Sequence, residues 1–557
     1  MTPFEMPSLD ICDLNIVLGA LGALIVLYGL ISVMIKQVWY LGVALPAVVM
    51  GIALGPVAAK FIDSQEWGHA VKDQTHDITL GVTRVMIGLQ LVIAGYQLPS
   101  RYLWVRGKEM AMCLLPIMTM MWLATTLCVL ATTPKLTILP ALVIAACVTC
   151  TDPVLSQAIA KGPFADMFVA RPLREIISSE AGANDGFGFP FLMIAVYMMR
   201  HVHDIGEDGG TSNEIELLPA EGVGRLGAGI GVALKEWFLE TWLYMILLSV
   251  LYGAVIGFGS CKAIRFCLKK KWIDNESYLL FPSALGMFIV GSCGAIGTDD
   301  SLACFVAGCA LNWDDHYLKE TERRHDEVNQ VFTALLNFGG FFYIGTIIPW
   351  AEFHDPDGTG LTIGRLFLLG FLVLLFRRIP AVLAAYKLMK PVCANYKEAL
   401  FMGYFGPIGA GAVFYVEYAR RLFPDIGDGD AEETHLVEIL GPIVYWLVFF
   451  SIVVHGLSIP ALDILYRYLG VKPIHDDAIE MWCSSVREAL PANAAMTGSD
   501  TLIAYNRFSR PIEAVDLPTL ESWRRGGSSA DDPNTTEERT EMEEKREEGR
   551  ATMRHVI

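Results

Sequence analysis

Residues 137–158 read TILPALVIAACVTCTDPVLSQA, an apolar run that is interrupted near its end by Thr151, Asp152 and Pro153. A bilayer core of about 30 Å requires roughly 20 apolar residues in one helix, and this run has that length. Pro153 lacks an amide hydrogen and clashes with the preceding turn, so it breaks or kinks the helix. Backbone carbonyls freed by such a break are tolerated at membrane depth only where they line a cavity or contact protein. This stretch therefore predicts a broken membrane helix with an acidic side chain at the break.

The composition of the whole chain agrees with a membrane domain. Of 557 residues, 53% are apolar and only 18% are charged, which barely supplies the polar surface that a soluble protein of this size needs. The net charge of −18 argues against nucleic acid as a partner. The twelve cysteines are scattered and show no paired metal-binding spacing, so we expect buried thiols and no cofactor.

Thirteen apolar segments are long enough to be membrane spans, with boundaries uncertain by about four residues. They are 14–35, 38–57, 78–97, 109–131, 137–158, 173–199, 236–260, 277–295, 296–313, 329–350, 361–389, 397–420 and 436–465. The predicted fold is an all-α polytopic membrane protein. Its predicted parts are an extracellular N-terminus (1–13), a transmembrane domain (14–465), a membrane-proximal region (466–525) and a disordered charged tail (526–557).

Lys and Arg residues in the loops indicate the orientation, because cytoplasmic loops carry an excess of them. With thirteen spans and the N-terminus outside, the predicted inner loops carry about twice as many as the outer loops. The clearest inner group is Lys269, Lys270 and Lys271, and the outer loop 351–360 has none. We therefore expect the C-terminal tail to be cytoplasmic.

The sixth span carries the strongest chemical signal, since ionisable groups inside a span are costly and are functional hypotheses by default. Its sequence ISSEAGANDGFGFP (177–190) contains Glu180, Asn184 and Asp185. Glu180 and Asn184 share a helix face, and Asp185 lies about 100° around the axis. Small residues beside them allow a neighbouring helix to approach closely. We predict that Asp185 alternates between a proton and a cation; a structural, hydrogen-bonded aspartate is the less favoured alternative.

Three other spans carry polar groups whose interpretation stays open. Asp152 is either a cap of the half-helix after the break or part of an ion site. Either Arg377 or Arg378 is a candidate partner of Glu180, and we expect one of the two to extend to the membrane interface. Asp299 and Asp300 are adjacent and face different ways, so at least one lines a cation path unless both belong to a helix cap at the outer mouth.

A second break is predicted in the twelfth span, GYFGPIGAGAVF (403–414), where four glycines and Pro407 disfavour a continuous helix. The two breaks lie seven spans apart, and an odd offset inverts the second copy of a repeat. Broken helices in corresponding halves are typical of inverted-repeat transporters. Glycines that merely allow helix packing are the alternative.

These motifs together resemble the sodium/proton antiporter branch of the cation:proton antiporter superfamily. The resemblance is carried by Thr151-Asp152-Pro153, by Ser179-Glu180, by Asn184-Asp185 and by Arg378, and it covers about residues 14–465. GYFGPIGAGAVF and VVHGLSIP (453–460) are similar to the fungal plasma-membrane members.

The resemblance implies a homodimer with a dimerisation domain, a moving core domain and two broken helices that cross near the ion site. It implies that Asp185 binds Na⁺ and H⁺ in turn, that Thr151 contributes a backbone oxygen to the Na⁺ site, and that Glu180 pairs with Arg378. It also implies roles for Asn184, Asp152, Asp299 and Asp300. One departure is Ala181, where many relatives carry a serine ligand.

The expected function is therefore exchange of Na⁺, Li⁺ or K⁺ for H⁺ across the plasma membrane, in salt tolerance and pH homeostasis. Two other classes stay open at this point. An organic-anion symporter on the same architecture would have fewer central acids, and a membrane enzyme would need a histidine-rich or nucleophile-bearing cluster at one membrane face.

Overall fold

The computed structural model describes residues 13–32, 34–62, 74–161, 163–202, 227, 229–324, 328–472, 474, 479–482, 494–496 and 501–504. The first half of the membrane domain contains α1 (Asp13–Leu30), α2 (Ala44–Leu54), α3 (Gln74–Tyr96), α4 (Tyr102–Val105), α5 (Gly107–Met112), α6 (Met118–Thr132), α7 (Ile138–Cys147), α8 (Pro153–Lys161), α9 (Pro163–Phe168), α10 (Arg171–Asn184) and α11 (Phe189–His201). The second half contains α12 (Ile230–Glu236), α13 (Leu248–Lys270), α14 (Asn275–Ile296), α15 (Asp300–Leu311), α16 (His316–Arg323), α17 (Val328–Ile347), α18 (Ile363–Phe376), α19 (Ile379–Ala385), α20 (Tyr396–Tyr404), α21 (Ala410–Arg420) and α22 (Ala431–Leu469).

Short π-helical or 3₁₀ segments join several of these helices. The π-helical ones are Met34–Val38, Cys113–Ile117 and Trp237–Leu247, and the 3₁₀ ones are Trp350–Phe353 and Tyr386–Leu388. The turn after Cys113 contains Pro116, which cannot donate the regular helical hydrogen bond.

The helices coincide with the predicted spans and confirm the all-α membrane domain. Among the described residues, six helical stretches are long and apolar enough to cross a membrane alone: Gln74–Tyr96, Gly107–Thr132, Ile230–Lys270, Asn275–Ile296, Ile363–Leu388 and Ala431–Leu469. Several other predicted spans contain shorter apolar helices. The fifth and twelfth spans are each divided between two helices, as predicted. The number of thirteen crossings stays a prediction.

The membrane-proximal region contains three short strands that the sequence did not predict. Strands β1 (Ile479–Trp482), β2 (Ala494–Met496) and β3 (Thr501–Ala504) form an antiparallel sheet in the order β1-β3-β2. The predicted N-terminal segment (up to residue 12) and the predicted disordered tail (526–557) lie outside the described residues.

Side-chain caps fix where several helices begin. Asp274 accepts a hydrogen bond from the Ser277 amide at the start of α14, and Asp299 accepts one from the Leu302 amide at the start of α15. A capping box of Asp430 and Glu433 starts α22. These contacts satisfy amides that have no partner within the helix.

One set of helices packs through close backbone contacts, and we call α2, α3, α13, α14, α15 and α17 the panel helices. At five glycines a Cβ atom would fall 2.2–2.5 Å from a carbonyl oxygen of the neighbouring helix: Gly51, Gly253, Gly257, Gly308 and Gly345. Side chains are therefore excluded at these crossings, and the backbones meet directly. Such contacts join α2 to α17, α3 to α15, and α13 to α15.

The second set contains both broken helices, and we call α7, α8, α10, α11, α19, α20, α21 and α22 the core helices. Its members pack mainly on one another, with α22 lying along α7, α8 and α21. The two sets meet where α21 contacts α3 and α17, where α10 contacts α3 and α15, where α8 contacts α3 and where α22 contacts α2. Their identity as dimerisation and transport domains stays a prediction.

Candidate functional site

Two interrupted helices cross at the centre of the core helices, which confirms the predicted pair of breaks. The first interruption separates α7 from α8 over residues 148–152, and the second separates α20 from α21 over residues 405–409. The Asp152 amide donates a hydrogen bond of 2.9 Å to the Pro407 carbonyl, so the end of the first interruption contacts the middle of the second. Four half-helix ends therefore point into one buried region.

Asp152 joins the N-termini of both following half-helices. Its Oδ1 accepts a 2.8 Å hydrogen bond from the Leu155 amide of α8, and its Oδ2 accepts a 2.6 Å hydrogen bond from the Ala410 amide of α21. A negative charge is favoured at helix N-termini, and here two of them share one carboxylate. Of the two predicted roles of Asp152, the helix cap is therefore observed, and Asp152 caps two helices instead of one.

Gly409 makes the approach of the second break possible. A Cβ atom at this position would lie 2.3 Å from Asp152 Oδ2, which no side chain tolerates. The backbone of the second break therefore approaches the carboxylate more closely than any residue with a side chain allows.

Arg377 binds the two C-terminal half-helix ends at the crossing, whereas Asp152 binds the two N-terminal ends. Its Nη1 donates to the Gly406 carbonyl at 2.8 Å, and its Nη2 donates to the carbonyls of Cys150 at 2.9 Å and Thr149 at 3.2 Å. These carbonyls follow the C-terminal ends of α7 and α20, where a positive charge is favoured. The expectation that one arginine extends to the membrane interface is wrong, because Arg377 and Arg378 are both only 3% exposed.

Glu180 and Arg378 form a buried bidentate ion pair. Both guanidinium Nη atoms lie 2.7 Å from the two carboxylate oxygens, and Arg378 Nε donates to the Met402 carbonyl at 3.0 Å. The pairing that the resemblance implied is therefore the one observed. It links α10 to the segment just before α19 and to α20.

Asn184 is bound to the first break. Its Nδ2 donates to Thr151 Oγ1 at 2.8 Å, and its Oδ1 accepts from the Thr151 amide at 3.1 Å. Helix α10 ends at Asn184, and a turn rich in glycine precedes α11. The sixth span is therefore interrupted within its Asn-Asp pair, between Asn184 and Asp185, where the sequence predicts a continuous helix.

Among the described residues, Asp185 differs from the other acids at the crossing because no N–H or O–H group donates a hydrogen bond to its carboxylate. The residue is 2% exposed, and neither carboxylate oxygen accepts a hydrogen bond from the residues that the structure describes. Gly411 of α21 faces it, since a Cβ there would lie 2.5 Å from Asp185 Oδ1 and 3.2 Å from Cys150 Sγ. The Tyr415 hydroxyl holds the Asp185 carbonyl at 2.6 Å, so the backbone is fixed while the carboxylate is left free.

The adjacent acids of the ninth span separate into two environments. Asp299 Oδ1 accepts from the Leu302 amide at 3.1 Å, whereas Oδ2 is buried without a partner in the described part of the chain. A Cβ at Gly186 would lie 2.8 Å from that oxygen, so Asp299 faces the residue next to Asp185. Asp300 instead forms an ion pair with Arg84 of α3.

The predicted residues thus fall into three places. Thr151, Asp152, Asn184 and Asp185 surround the crossing, and Asp299 faces it from the panel helices. Glu180 and Arg378 form a separate pair within the core helices. Asp300 belongs to a contact between α3 and α15.

Sequence reasoning missed four residues that the structure brings to or near these places. Cys150 was treated as one of many buried thiols, and Tyr415 carries no ionic signal. Arg84 and Glu417 are charged residues inside apolar spans. A charge in a span is by itself a reason to examine a residue, so both could have been identified from the sequence. The sequence does not indicate their partners Asp300 and His76 in the same way, because these lie 216 and 341 positions away in the chain.

Comparison with known proteins places the chain in a family. A family model described as "Sodium/hydrogen exchanger, transmembrane" matches residues 20–463. A probable Na(+)/H(+) antiporter of Schizosaccharomyces pombe is 36% identical over 463 residues, covering 81% of this chain and 56% of that protein. Na(+)/H(+) antiporter 2 of Zygosaccharomyces rouxii is 32% identical over 537 residues, covering 94% of this chain and 61% of that protein.

The chain therefore spans less than two thirds of the length of these two relatives. A second antiporter of S. pombe is 31% identical, with 85% of this chain and 96% of that protein covered. Among solved structures, the sodium proton antiporter MjNhaP1 of Methanocaldococcus jannaschii has the same fold, with a TM-score of 0.55, 16% sequence identity and coverage of 83% of this chain and 100% of that one. Since the family model matches most of the chain and the fold agrees, this multi-pass membrane protein belongs to the sodium/hydrogen exchanger family.

Proposed function

We propose that this chain is a secondary active antiporter that exchanges Na⁺ for H⁺ by alternating access, with both ions competing for Asp185. The observation that carries the proposal is the buried Asp185 carboxylate, whose oxygens have no partner among the described residues. An uncompensated carboxylate in a low-dielectric region is costly. Binding either a proton or a cation removes that cost.

The surrounding charges support a single exchangeable charge at the crossing. The Asp152 carboxylate is offset by two half-helix N-termini, and Arg377 is offset by carbonyls at two C-terminal ends. Glu180 and Arg378 neutralise each other. Asp185 is then the group whose charge depends on whether a proton or a cation is bound. The core helices move between the two access states only when this charge is neutralised.

Thr151 and Asn184 complete the proposed cation site. Asn184 binds both the amide and the hydroxyl of Thr151 and so fixes the backbone of the first break. The Thr151 carbonyl is the oxygen that we assign to the Na⁺ shell together with the Asp185 carboxylate. Asp299, with its free Oδ2, is assigned to the path that leads to this site.

The wider assignments rest on the relatives and on the loop charges. The relatives are named Na(+)/H(+) antiporters, which supports Na⁺ and H⁺ as substrates, with Li⁺ and K⁺ as further candidates. A homodimer in the plasma membrane, an outer N-terminus, a cytoplasmic tail and a role in salt tolerance and pH homeostasis complete the proposal. The names of the relatives favour neither an organic-anion symporter nor an enzyme.

The test is cation-driven proton flux in proteoliposomes that contain a pH-sensitive dye and an acid interior. Adding Na⁺, Li⁺ or K⁺ is expected to dequench the dye with the wild type and to have no effect with Asp185→Asn. Asp357→Asn, in an exposed loop, is the matched control and is expected to behave like the wild type. Cation-dependent flux in folded Asp185→Asn would refute the site.

A further inference from the structure

Arg84 lies inside the apolar helix α3 and binds one member of the acid pair of α15. It stands ten residues after the start of the helix, about 15 Å along the axis. Its Nε contacts Asp300 Oδ2, and the Asp300 side chain is only 5% exposed. A charge at this depth normally has a functional reason or a necessary partner, and here the partner is acidic.

The neighbouring acid, Asp299, is oriented quite differently. One of its oxygens caps α15 through the Leu302 amide, and the other is buried, unpartnered in the described structure and directed at Gly186. Gly186 follows Asp185 in the chain. Asp299 therefore presents a free carboxylate oxygen from the panel helices toward the core helix that carries the proposed ion-binding aspartate.

From these contacts we infer that Arg84 is a positioning residue for ion transport. By neutralising Asp300 and holding the first turn of α15 against α3, it leaves Asp299 as the one free carboxylate of the pair and keeps that carboxylate opposite Asp185. Without Arg84, Asp300 becomes a second free acid that competes for the cation on the panel side. The inference rests on the proposed function, because it assigns a role in the approach of the cation to Asp185.

The experiment measures the KM for Na⁺ and the maximal rate of exchange in proteoliposomes for four proteins: wild type, Arg84→Gln, Asp300→Asn and the double variant. Removing the partner of a liganding or near-liganding carboxylate usually costs on the order of 10-fold to 100-fold in affinity or activity. We expect Arg84→Gln to raise the KM by that factor. The double variant, which removes both charges, is expected to regain most of the affinity.

Two further readouts separate this role from a purely structural one. Thermal unfolding in detergent shows whether Arg84→Gln is folded, and Arg84→Lys tests whether a positive charge alone restores the KM. An unchanged KM in folded Arg84→Gln would overturn the inference. A double variant as impaired as Arg84→Gln would overturn it too, because Asp300 would then act in transport itself. Absence of cation-dependent flux in the wild type would instead refute the proposed function and, with it, the role of Arg84.

Discussion

At the scale of single residues, the site depends on space as much as on charge. No described residue donates a hydrogen bond to the Asp185 carboxylate, and the residue that faces it on α21, Gly411, has no side chain. With a hydrogen atom in place of a methyl group at residue 411, the backbone of α21 comes close to Asp185 Oδ1 and Cys150 Sγ, where we propose that the ion binds. A glycine inside a helix costs about 1 kcal/mol relative to alanine, so its presence in α21 needs a reason, and access to the carboxylate supplies one.

Gly411→Ala is expected to separate stability from transport. The added Cβ would lie 2.5 Å from Asp185 Oδ1, so the carboxylate must move, and a misplacement of about 1 Å costs on the order of a hundredfold in rate. The better helix former should leave thermal unfolding unchanged or raise its temperature. Gly291→Ala in α14, with open space around its Cβ position, is the control for both measurements. Normal exchange by Gly411→Ala would argue against an ion beside this residue.

At the scale of helices, the crossing is held by pairing helix ends with fixed charges. Asp152 connects two N-terminal ends and Arg377 connects two C-terminal ends, so each break is stabilised by a residue outside its own half-helix. Ser451 of α22 adds a further contact, since its hydroxyl accepts a 2.7 Å hydrogen bond from the Ile408 amide. Both breaks are therefore held by hydrogen bonds from residues of other segments.

Asp152→Asn tests this arrangement. The amide of asparagine accepts a hydrogen bond only through its oxygen, so one of the two half-helix amides loses its acceptor and remains buried. The expected loss is about 1–3 kcal/mol in the free energy of unfolding, read as a lower unfolding temperature in detergent, together with slower exchange. Asp274→Asn is the control, because it caps a single exposed helix start where asparagine serves equally well. Equal stability of the wild type and Asp152→Asn would contradict the double cap.

The sequence predicted the breaks because their causes are local. Pro153, Pro407 and the glycines around Pro407 disfavour helix wherever they occur, and an aspartate before a proline-started helix is a recognisable cap. The interruption after Asn184 was missed because it lacks a proline at the break itself. Arg84 and Asp300, which are 216 positions apart, were not paired, because only the packing of α3 on α15 brings them together. The resemblance supplied the pairing of Glu180 with Arg378, which spacing alone had left open between two arginines.

At the scale of the whole molecule, hydrogen bonds and an ion pair connect the panel helices to the core helices at the face of the predicted outer loops. His76 Nδ1 lies 2.7 Å from Glu417 Oε2, and Tyr445 donates to Glu417 Oε1 at 2.7 Å. Beside this partly buried contact, Asp77 forms an exposed ion pair with Arg421. The first turn of α3 is thus held against the end of α21 and the residue that follows it. If the core helices move against the panel helices during transport, these contacts must separate in every cycle.

Cross-linking the exposed ion pair tests that motion. Asp77→Cys and Arg421→Cys replace side chains that are 62% and 49% exposed, so a short bis-maleimide reaches both. We expect the cross-link to stop cation-driven proton flux, and the single-cysteine variants treated with the same reagent to retain it. Rupture of the ion pair alone contributes little, because exposed pairs are worth about 0–1 kcal/mol.

A second pair within the panel helices provides the matched control. Arg265 of α13 and Asp314, just after α15, form an ion pair that is also accessible, with side chains 43% and 28% exposed. Arg265 lies on α13 and Asp314 follows α15, and these two helices pack on each other through direct backbone contact. A cross-link between Arg265→Cys and Asp314→Cys should therefore leave exchange intact. If the 77–421 cross-link stops exchange and the 265–314 cross-link does not, α21 moves relative to α3 while the panel helices stay together. Full exchange in the protein cross-linked between residues 77 and 421 would instead confine the movement to the crossing itself, around Asp152 and Asp185.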